Sequence, residues 1–147
     1  ALLGGFLFAR YGNERIEHFT TAELAAVRQL YKIAPRGSLL LAATPDLPWK
    51  FQDYTSYEYR TVASLKSNPR SGDSDLAKPV LSIMRQHRRP GAYFIITRSN
   101  RADAEVRGIL PPASLDRLEQ TLDRSRTVQL VYANQDARIY ALRPARR

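Results

Sequence analysis

The sequence contains no cysteine, which excludes disulfide bonds, thiolate metal sites and a cysteine nucleophile. Its only two histidines, His18 and His87, lie far apart and outside any HExxH-like spacing, so neither a zinc site nor a catalytic triad is expected. No serine occupies a Gly-x-Ser-x-Gly elbow, the motif that presents the nucleophile in many hydrolases. We therefore expect this chain to hold no metal, no cofactor and no catalytic residue of its own.

Long hydrophobic runs are also missing, because no stretch reaches the roughly 20 apolar residues that a membrane-spanning helix needs. The uncharged start, residues 1–9, opens without methionine and leads into Arg10-Tyr11, a pair typical of a membrane interface. We interpret residues 1–10 as the end of a transmembrane helix or a membrane-proximal segment, and residues 11–147 as a single domain. The alternative is a buried terminal element of a soluble protein.

Acidic residues are few relative to basic ones, with 14 Asp and Glu against 23 Lys and Arg and a formal net charge of +9. This excess suits anionic partners such as phosphates, lipid headgroups or nucleic acid. Because the charge is dispersed and no lysine-rich tract or nucleic-acid-binding motif accompanies it, nucleic acid is the least favoured of these. A basic surface that is only solvated is the alternative.

Helical and strand patterns alternate along the chain. Thr20 and Glu23 form a capping box for a helix that runs to Ala34, and the apolar run at 38–43 predicts a strand buried on both faces. Residues 45–78 are predicted to form a long irregular loop. The remaining predicted elements are a helix from Pro79 to Pro90-Gly91, a strand at 92–97, a helix capped by Ser99 or Asn100 and reaching about Gly108, a helix from Pro111, and strands at 127–133 and 137–142.

This order of elements, with 44% hydrophobic residues to build one core, predicts an α/β fold. We expect a three-layer sandwich in which a mostly parallel sheet carries helices on both faces and ends in a C-terminal antiparallel β-hairpin. Ligands of such sheets bind beyond the carboxyl ends of the parallel strands. The loops that begin at Thr44 and Thr97 follow the two clearest buried strands, so both are candidate sites.

The loop after Thr44 combines aromatic rings with carboxylates, as a sugar site requires. A ring covers the apolar face of a pyranose while carboxylates accept hydrogen bonds from its hydroxyls. The candidate sugar-binding residues are Asp46, Trp49, Asp53 and Tyr54. Two alternatives stay open: the rings fill a small core beneath the loop, or Asp46 and Asp53 form the acid/base pair of a small enzyme.

The loop after Thr97 places basic and hydroxyl side chains at a predicted helix start. Arg98, Ser99 and Arg101 are candidate anion-binding residues, because guanidinium groups and the first amides of a helix both favour negative charge. The segment is not a glycine-rich phosphate loop, however. A helix cap with arginines nearby and no ligand is therefore the alternative interpretation.

The succession of short motifs resembles a known class of domain. These motifs are the apolar start followed by Arg10-Tyr11-Gly12-Asn13-Glu14-Arg15, the helix ending in Ala34-Pro35-Arg36-Gly37-Ser38, the aromatic Pro48-Trp49 loop, the strand Tyr93-Phe94-Ile95-Ile96-Thr97, and the closing hairpin with Val131-Tyr132-Ala133-Asn134 and Arg138-Ile139-Tyr140. They resemble the C-terminal extracytoplasmic domain of bacterial polytopic membrane proteins, most closely the GT-C glycosyltransferases, which use lipid-linked sugar donors.

In that class the catalytic carboxylate generally lies in an early loop between membrane helices, so no catalytic residue is carried over to this chain. The resemblance implies a noncatalytic domain of the cell envelope, on the extracytoplasmic side of the bacterial plasma membrane, that positions an acceptor glycan or stabilises the membrane part. The implied partners are that membrane part, a glycan or lipid-linked sugar phosphate, and the anionic membrane surface. The alternative function is a free-standing basic module that binds anions or nucleic acid, whose binding weakens steeply with salt.

Overall fold

The computed structural model of the chain describes residues 19–48, 54–65 and 75–144. Within these ranges it contains four helices and five strands, in the chain order α1 (Thr21–Ile33), β1 (Leu39–Ala42), β2 (Glu58–Thr61), α2 (Ala77–Gln86), β3 (Ala92–Thr97), α3 (Arg98–Val106), α4 (Ser114–Arg124), β4 (Val128–Ala133) and β5 (Ala137–Leu142). The predicted membrane-proximal segment 1–10 lies outside the described residues. None of the helices in the described ranges is long and apolar enough to cross a bilayer.

The five strands form one sheet with the spatial order β2-β1-β3-β5-β4. Strand β1 pairs in parallel with both β2 and β3, whereas β5 runs antiparallel to its neighbours β3 and β4. The predicted α/β class and the C-terminal hairpin are therefore confirmed. The sheet is mixed, with as many antiparallel as parallel pairings, so the three-layer sandwich with a mostly parallel sheet is not confirmed.

Each face of the sheet carries its own hydrophobic cluster, because successive side chains of a strand point to opposite faces. One cluster joins Leu41 and Phe94 to apolar residues of α2, α3 and α4. The other joins Leu40 and Ile95 to apolar residues of α1. All four residues of β1 are fully buried, which explains why its sequence is an unbroken apolar run.

Strand β2 lies within the region predicted to be irregular, so the single loop at 45–78 is wrong in its middle part. Residues Glu58–Thr61 pair in parallel with β1 at the outer edge of the sheet. Only one neighbouring strand covers them, and none of the four is fully buried. The strand does carry a signal, because Tyr57, Tyr59 and Thr61 alternate with the charged Glu58 and Arg60, but the alternation is short and lies within a region rich in turn-forming residues.

Candidate functional site

The segments that follow β1 and β3 meet at one edge of the sheet, which we call the carboxyl edge. The Asn100 side chain joins them: its amide nitrogen Nδ2 donates to the Thr44 carbonyl oxygen (3.2 Å), the Thr44 hydroxyl (3.1 Å) and the Asp46 carbonyl oxygen (2.8 Å). The two loops that the sequence marked as candidate sites are thus in direct contact, as expected for neighbouring parallel strands.

Helix α3 begins at this edge, and its N-cap is Thr97 rather than the predicted Ser99 or Asn100. The Thr97 hydroxyl accepts from the Asn100 amide N–H (3.2 Å), while Asn100 Oδ1 accepts from the Thr97 amide N–H (3.3 Å). This reciprocal pair is a capping box in which Asn replaces the usual Glu or Gln. The strand therefore passes directly into the helix, with no intervening turn.

A second capping box, at the start of α1, reaches the same place. As predicted, Thr20 caps this helix and Glu23 closes the box, with Glu23 Oε2 accepting from the Thr20 amide N–H (2.9 Å). The other carboxylate oxygen, Oε1, accepts from the Ser99 amide N–H in the first turn of α3 (2.7 Å). Glu23 is fully buried, so one internal carboxylate serves two helix starts.

We call this group of polar residues the carboxyl-edge cluster. Its members are Glu23, Thr44, Asp46, Thr97, Ser99, Asn100 and Asp103, of which all but Asp46 are buried. Asp103 carries an ion pair with Arg107, whose Nε lies 2.7 Å from Asp103 Oδ1 without hydrogen-bond alignment. Among the described residues, no group of His, Asp and Glu side chains is arranged to hold a metal ion.

Burial raises the pKa of Asp46 from its ordinary value of 3.8 to about 6. The negative charge of Asp103 raises the pKa further, Arg107 lowers it, and Glu23 adds a smaller increase. The Asp46 Oδ2 atom is buried and accepts no hydrogen bond from the described part of the chain. The ionised form of Asp46 is therefore poorly stabilised where it lies.

This environment predicts how stability changes with pH. Between the ordinary pKa of 3.8 and the folded-state value of about 6, the folded protein holds more protons at Asp46 than the unfolded chain, so stability falls as pH rises through this window. Asp46→Asn removes this loss and is expected to raise the free energy of unfolding by about 1 kcal/mol above pH 6.5, after allowance for solvent screening. Urea unfolding at pH 4.5 and pH 7.5 measures the difference. Glu105→Gln, which neutralises an exposed carboxyl on α3, is the control, and an equal gain at both pH values for Asp46→Asn contradicts the prediction.

The three predicted anion-binding residues are already engaged in the folded chain. The Ser99 amide N–H donates to Glu23, and the Ser99 side chain is buried. The Arg101 guanidinium forms ion pairs with Asp116 and Glu119 of α4. Arg98 is exposed, and its amide N–H donates to the Asp136 carbonyl oxygen (2.8 Å). Anion binding at this helix start therefore stays a prediction. A bound anion would compete with the Glu23 carboxylate for the Ser99 amide N–H.

Of the predicted sugar-binding residues, Asp46 and Tyr54 lie in the described ranges, whereas Trp49 and Asp53 lie outside them. Tyr54 is at the opposite end of β1, which we call the amino edge, because the adjoining Ser56 carbonyl oxygen accepts from the Gly37 amide N–H (2.7 Å) just before β1. The structure thus brings Asp46 next to Asn100 at the carboxyl edge, whereas Tyr54 lies at the amino edge.

Tyr54 belongs to a tyrosine cluster on the α1 side of the amino edge, formed by Tyr31, Tyr54, Tyr57 and Tyr59. The Tyr54 ring stacks on the Tyr59 ring with centroids 4.3 Å apart and planes 12° from parallel. The hydroxyls of Tyr59 and Tyr31 lie 2.9 Å apart, and the Tyr57 hydroxyl donates to the Ala34 carbonyl oxygen (3.2 Å). Burial and the hydrogen bond with the Tyr59 hydroxyl raise the pKa of Tyr31, so the Tyr31 hydroxyl stays neutral. Tyr54, a residue with 40% of its surface accessible, therefore stacks on a ring that is itself held in place.

No protein-family model, curated protein or solved structure matches the chain.

Proposed function

We propose that this chain is a noncatalytic extracytoplasmic domain of a membrane-embedded glycosyltransferase that uses a lipid-linked sugar donor. In this role it contacts the acceptor glycan or stabilises the membrane part of the parent protein. The observation that carries the proposal is the tyrosine cluster, which presents the exposed Tyr54 ring on the stacked Tyr59 ring at the amino edge. The Tyr59 ring is held by the contact of its hydroxyl with Tyr31, so a ring stacked on it loses little conformational entropy when a pyranose covers it.

The carboxyl edge is occupied by the chain's own side chains, which supports contact with other molecules at the amino edge. In most open sheets with parallel strands, the carboxyl edge is where amides and side chains point at a ligand. Here the Ser99 amide N–H donates to the Glu23 carboxylate, and the Asn100 side-chain amide donates to the Thr44 and Asp46 carbonyl oxygens that follow β1. The chain's own side chains fill the position of a ligand, which leaves the amino edge and the exposed tyrosine for contact with other molecules.

The glycan contact is tested with Tyr54→Ala in the intact chain. We expect neutral oligosaccharides, with maltohexaose and mannotriose as probes, to shift the amide signals of residues 54–61, and Tyr54→Ala to weaken this binding about tenfold. Tyr54→Phe keeps the ring and is expected to retain binding. Leu130→Ala removes an apolar side chain from β4, the edge strand farthest from β2, and serves as the control because Leu130 is 42% accessible. Binding that survives Tyr54→Ala, or no binding to any probe, rules out the glycan contact.

The association with a membrane enzyme has a separate test. Reading the coding sequence upstream of the Ala1 codon and counting apolar segments of about 20 residues distinguishes the two candidate settings. Several such segments support the proposal and direct the search for the catalytic carboxylate to the loops between them. A start codon close to Ala1 with no such segment overturns the proposal and favours a free-standing module.

A further inference from the structure

A basic groove of about 960 Å³ lies at the amino edge, on the face of the sheet that α2 and α4 cover. It is bordered by the C-terminal ends of these two helices, the start of β4 and the end of β5. Among the described residues, five guanidinium groups line it, those of Arg85, Arg88, Arg124, Arg126 and Arg143, and Asp123 is the one acidic side chain in this lining. These arginines come from three separate parts of the sequence, and the fold gathers them around one concavity.

Two of the guanidinium groups are held in place by the start of β4. Arg85 Nη2 donates to the Thr127 hydroxyl (3.0 Å), and Arg143 Nε donates to the Val128 carbonyl oxygen (2.9 Å). Each of these bonds uses one of the five N–H groups that a guanidinium carries. The side chains are therefore partly ordered before any ligand arrives, which lowers the entropy lost on binding.

Within the described ranges, the side chains around the groove do not balance its positive charge. The Asp123 carboxylate is hydrogen-bonded to residues that do not line the groove: it accepts from the Tyr140 hydroxyl (2.9 Å) and from Arg138 Nη1 (3.1 Å). The C-terminal ends of α2 and α4 contribute about half a negative charge each through the helix dipole. Five arginines exceed what two helix ends and one shared carboxylate neutralise, so the groove retains an excess of roughly three positive charges.

We propose that this groove binds a compact anion of the diphosphate class. Arginine forks suit phosphoryl oxygens because each guanidinium donates two parallel hydrogen bonds, and several forks around one hollow favour a ligand with several closely spaced charges. The volume lies in the range of small-molecule sites, which leaves space for a group attached to the diphosphate. The concave shape favours a soluble phosphate ester over the flat surface of a membrane. The inference is independent of the proposed glycan contact, because no residue of the tyrosine cluster lines the groove.

The test compares two double variants of the intact chain. Arg88→Gln/Arg126→Gln removes two charges from the groove. Lys78→Gln/Arg117→Gln removes the same charge from exposed positions near the opposite ends of α2 and α4 and is the matched control. Inorganic pyrophosphate is titrated into each protein at about 50 mM salt by calorimetry, and the amide signals of residues 124–130 are followed by NMR. Circular dichroism verifies that each variant keeps the fold.

We expect saturable binding of one pyrophosphate per chain, about tenfold weaker in the groove variant and within about twofold of wild type in the control. The same titration with vesicles of phosphatidylglycerol and phosphatidylcholine distinguishes a soluble ligand from a lipid headgroup. The inference is overturned by the absence of pyrophosphate binding, by equal losses in both variants, or by a groove-dependent binding to vesicles without any to pyrophosphate. None of these outcomes bears on the Tyr54 experiment, so the two proposals fail separately.

Discussion

Glu23→Ala is expected to lower the free energy of unfolding by about 3 to 4 kcal/mol. The fully buried carboxylate accepts from two amides, those of Thr20 and Ser99, at 2.9 and 2.7 Å. Its removal leaves both donors without their partner, which costs about 1 to 3 kcal/mol for the buried Ser99 amide and less for the half-buried Thr20 amide. It also removes the negative charge that both helix starts favour. Urea unfolding followed by circular dichroism at pH 7 measures the change.

Two further variants separate the carboxylate's role from general damage to a helix. Glu105→Ala removes a carboxylate from an exposed position on α3 and is expected to change stability by less than about 0.5 kcal/mol. Glu23→Gln keeps the shape and one accepting oxygen, so an intermediate loss is expected. A Glu23→Ala protein as stable as the Glu105→Ala control would show that the buried carboxylate is not what joins the two helices.

Asn100→Asp is expected to destabilise the protein by about 3 kcal/mol at pH 7, although the two side chains have the same shape. Asn100 Nδ2 donates to the carbonyl oxygens of Thr44 and Asp46 and to the Thr44 hydroxyl. A carboxylate oxygen in this position accepts hydrogen bonds and donates none, so it repels both carbonyls. It also adds a buried negative charge to a cluster that already contains Glu23 and Asp103.

The pH dependence of this variant distinguishes the charge from the lost hydrogen bonds. The pKa of the introduced carboxyl is raised by its surroundings, so the added destabilisation is absent below the unfolded-state pKa of about 4 and grows as pH rises above it. Asn100→Ala loses the same donors without adding a charge, and its loss of stability is expected to vary less with pH. The exposed Gln120→Glu on α4 is the control for a new surface carboxyl. Equal pH profiles for Asn100→Asp and Asn100→Ala contradict the prediction.

The sequence predicts the elements whose burial is decided locally. Strands β1 and β3 are apolar runs because both of their faces are covered, and such runs are visible without knowledge of the fold. The sequence also reveals the buried face of helix α4, because Leu115, Leu118 and Leu122 recur at helical spacing and all three are buried. Strand β2 shows the limit. Its alternation of Tyr59 and Thr61 with Glu58 and Arg60 is too short to separate a strand from a loop locally, and its pairing with β1 is what makes it a strand.

The candidate site shows the same division between local and distant information. The capping box of Thr20 and Glu23 is visible as a local spacing, and it is confirmed. The second hydrogen bond of Glu23 joins it to Ser99, 76 residues away, which no local pattern encodes. The sequence does not single out Thr97 as the cap, because Ser99 and Asn100 are at least as good capping residues by type. The basic groove depends on topology in the same way, since β5 must turn back beside β3 before Arg143 can approach Arg85.

The double role of Glu23 has a consequence for cooperativity. Helix α1 packs on one face of the sheet, and α3 contributes to the hydrophobic cluster on the other face. Neither helix can detach alone without leaving a buried carboxylate or a buried amide unpaired. Partial unfolding that releases only one face therefore costs this hydrogen bond as well as the apolar contacts, and we expect the two hydrophobic clusters to unfold more cooperatively than two clusters without such a link.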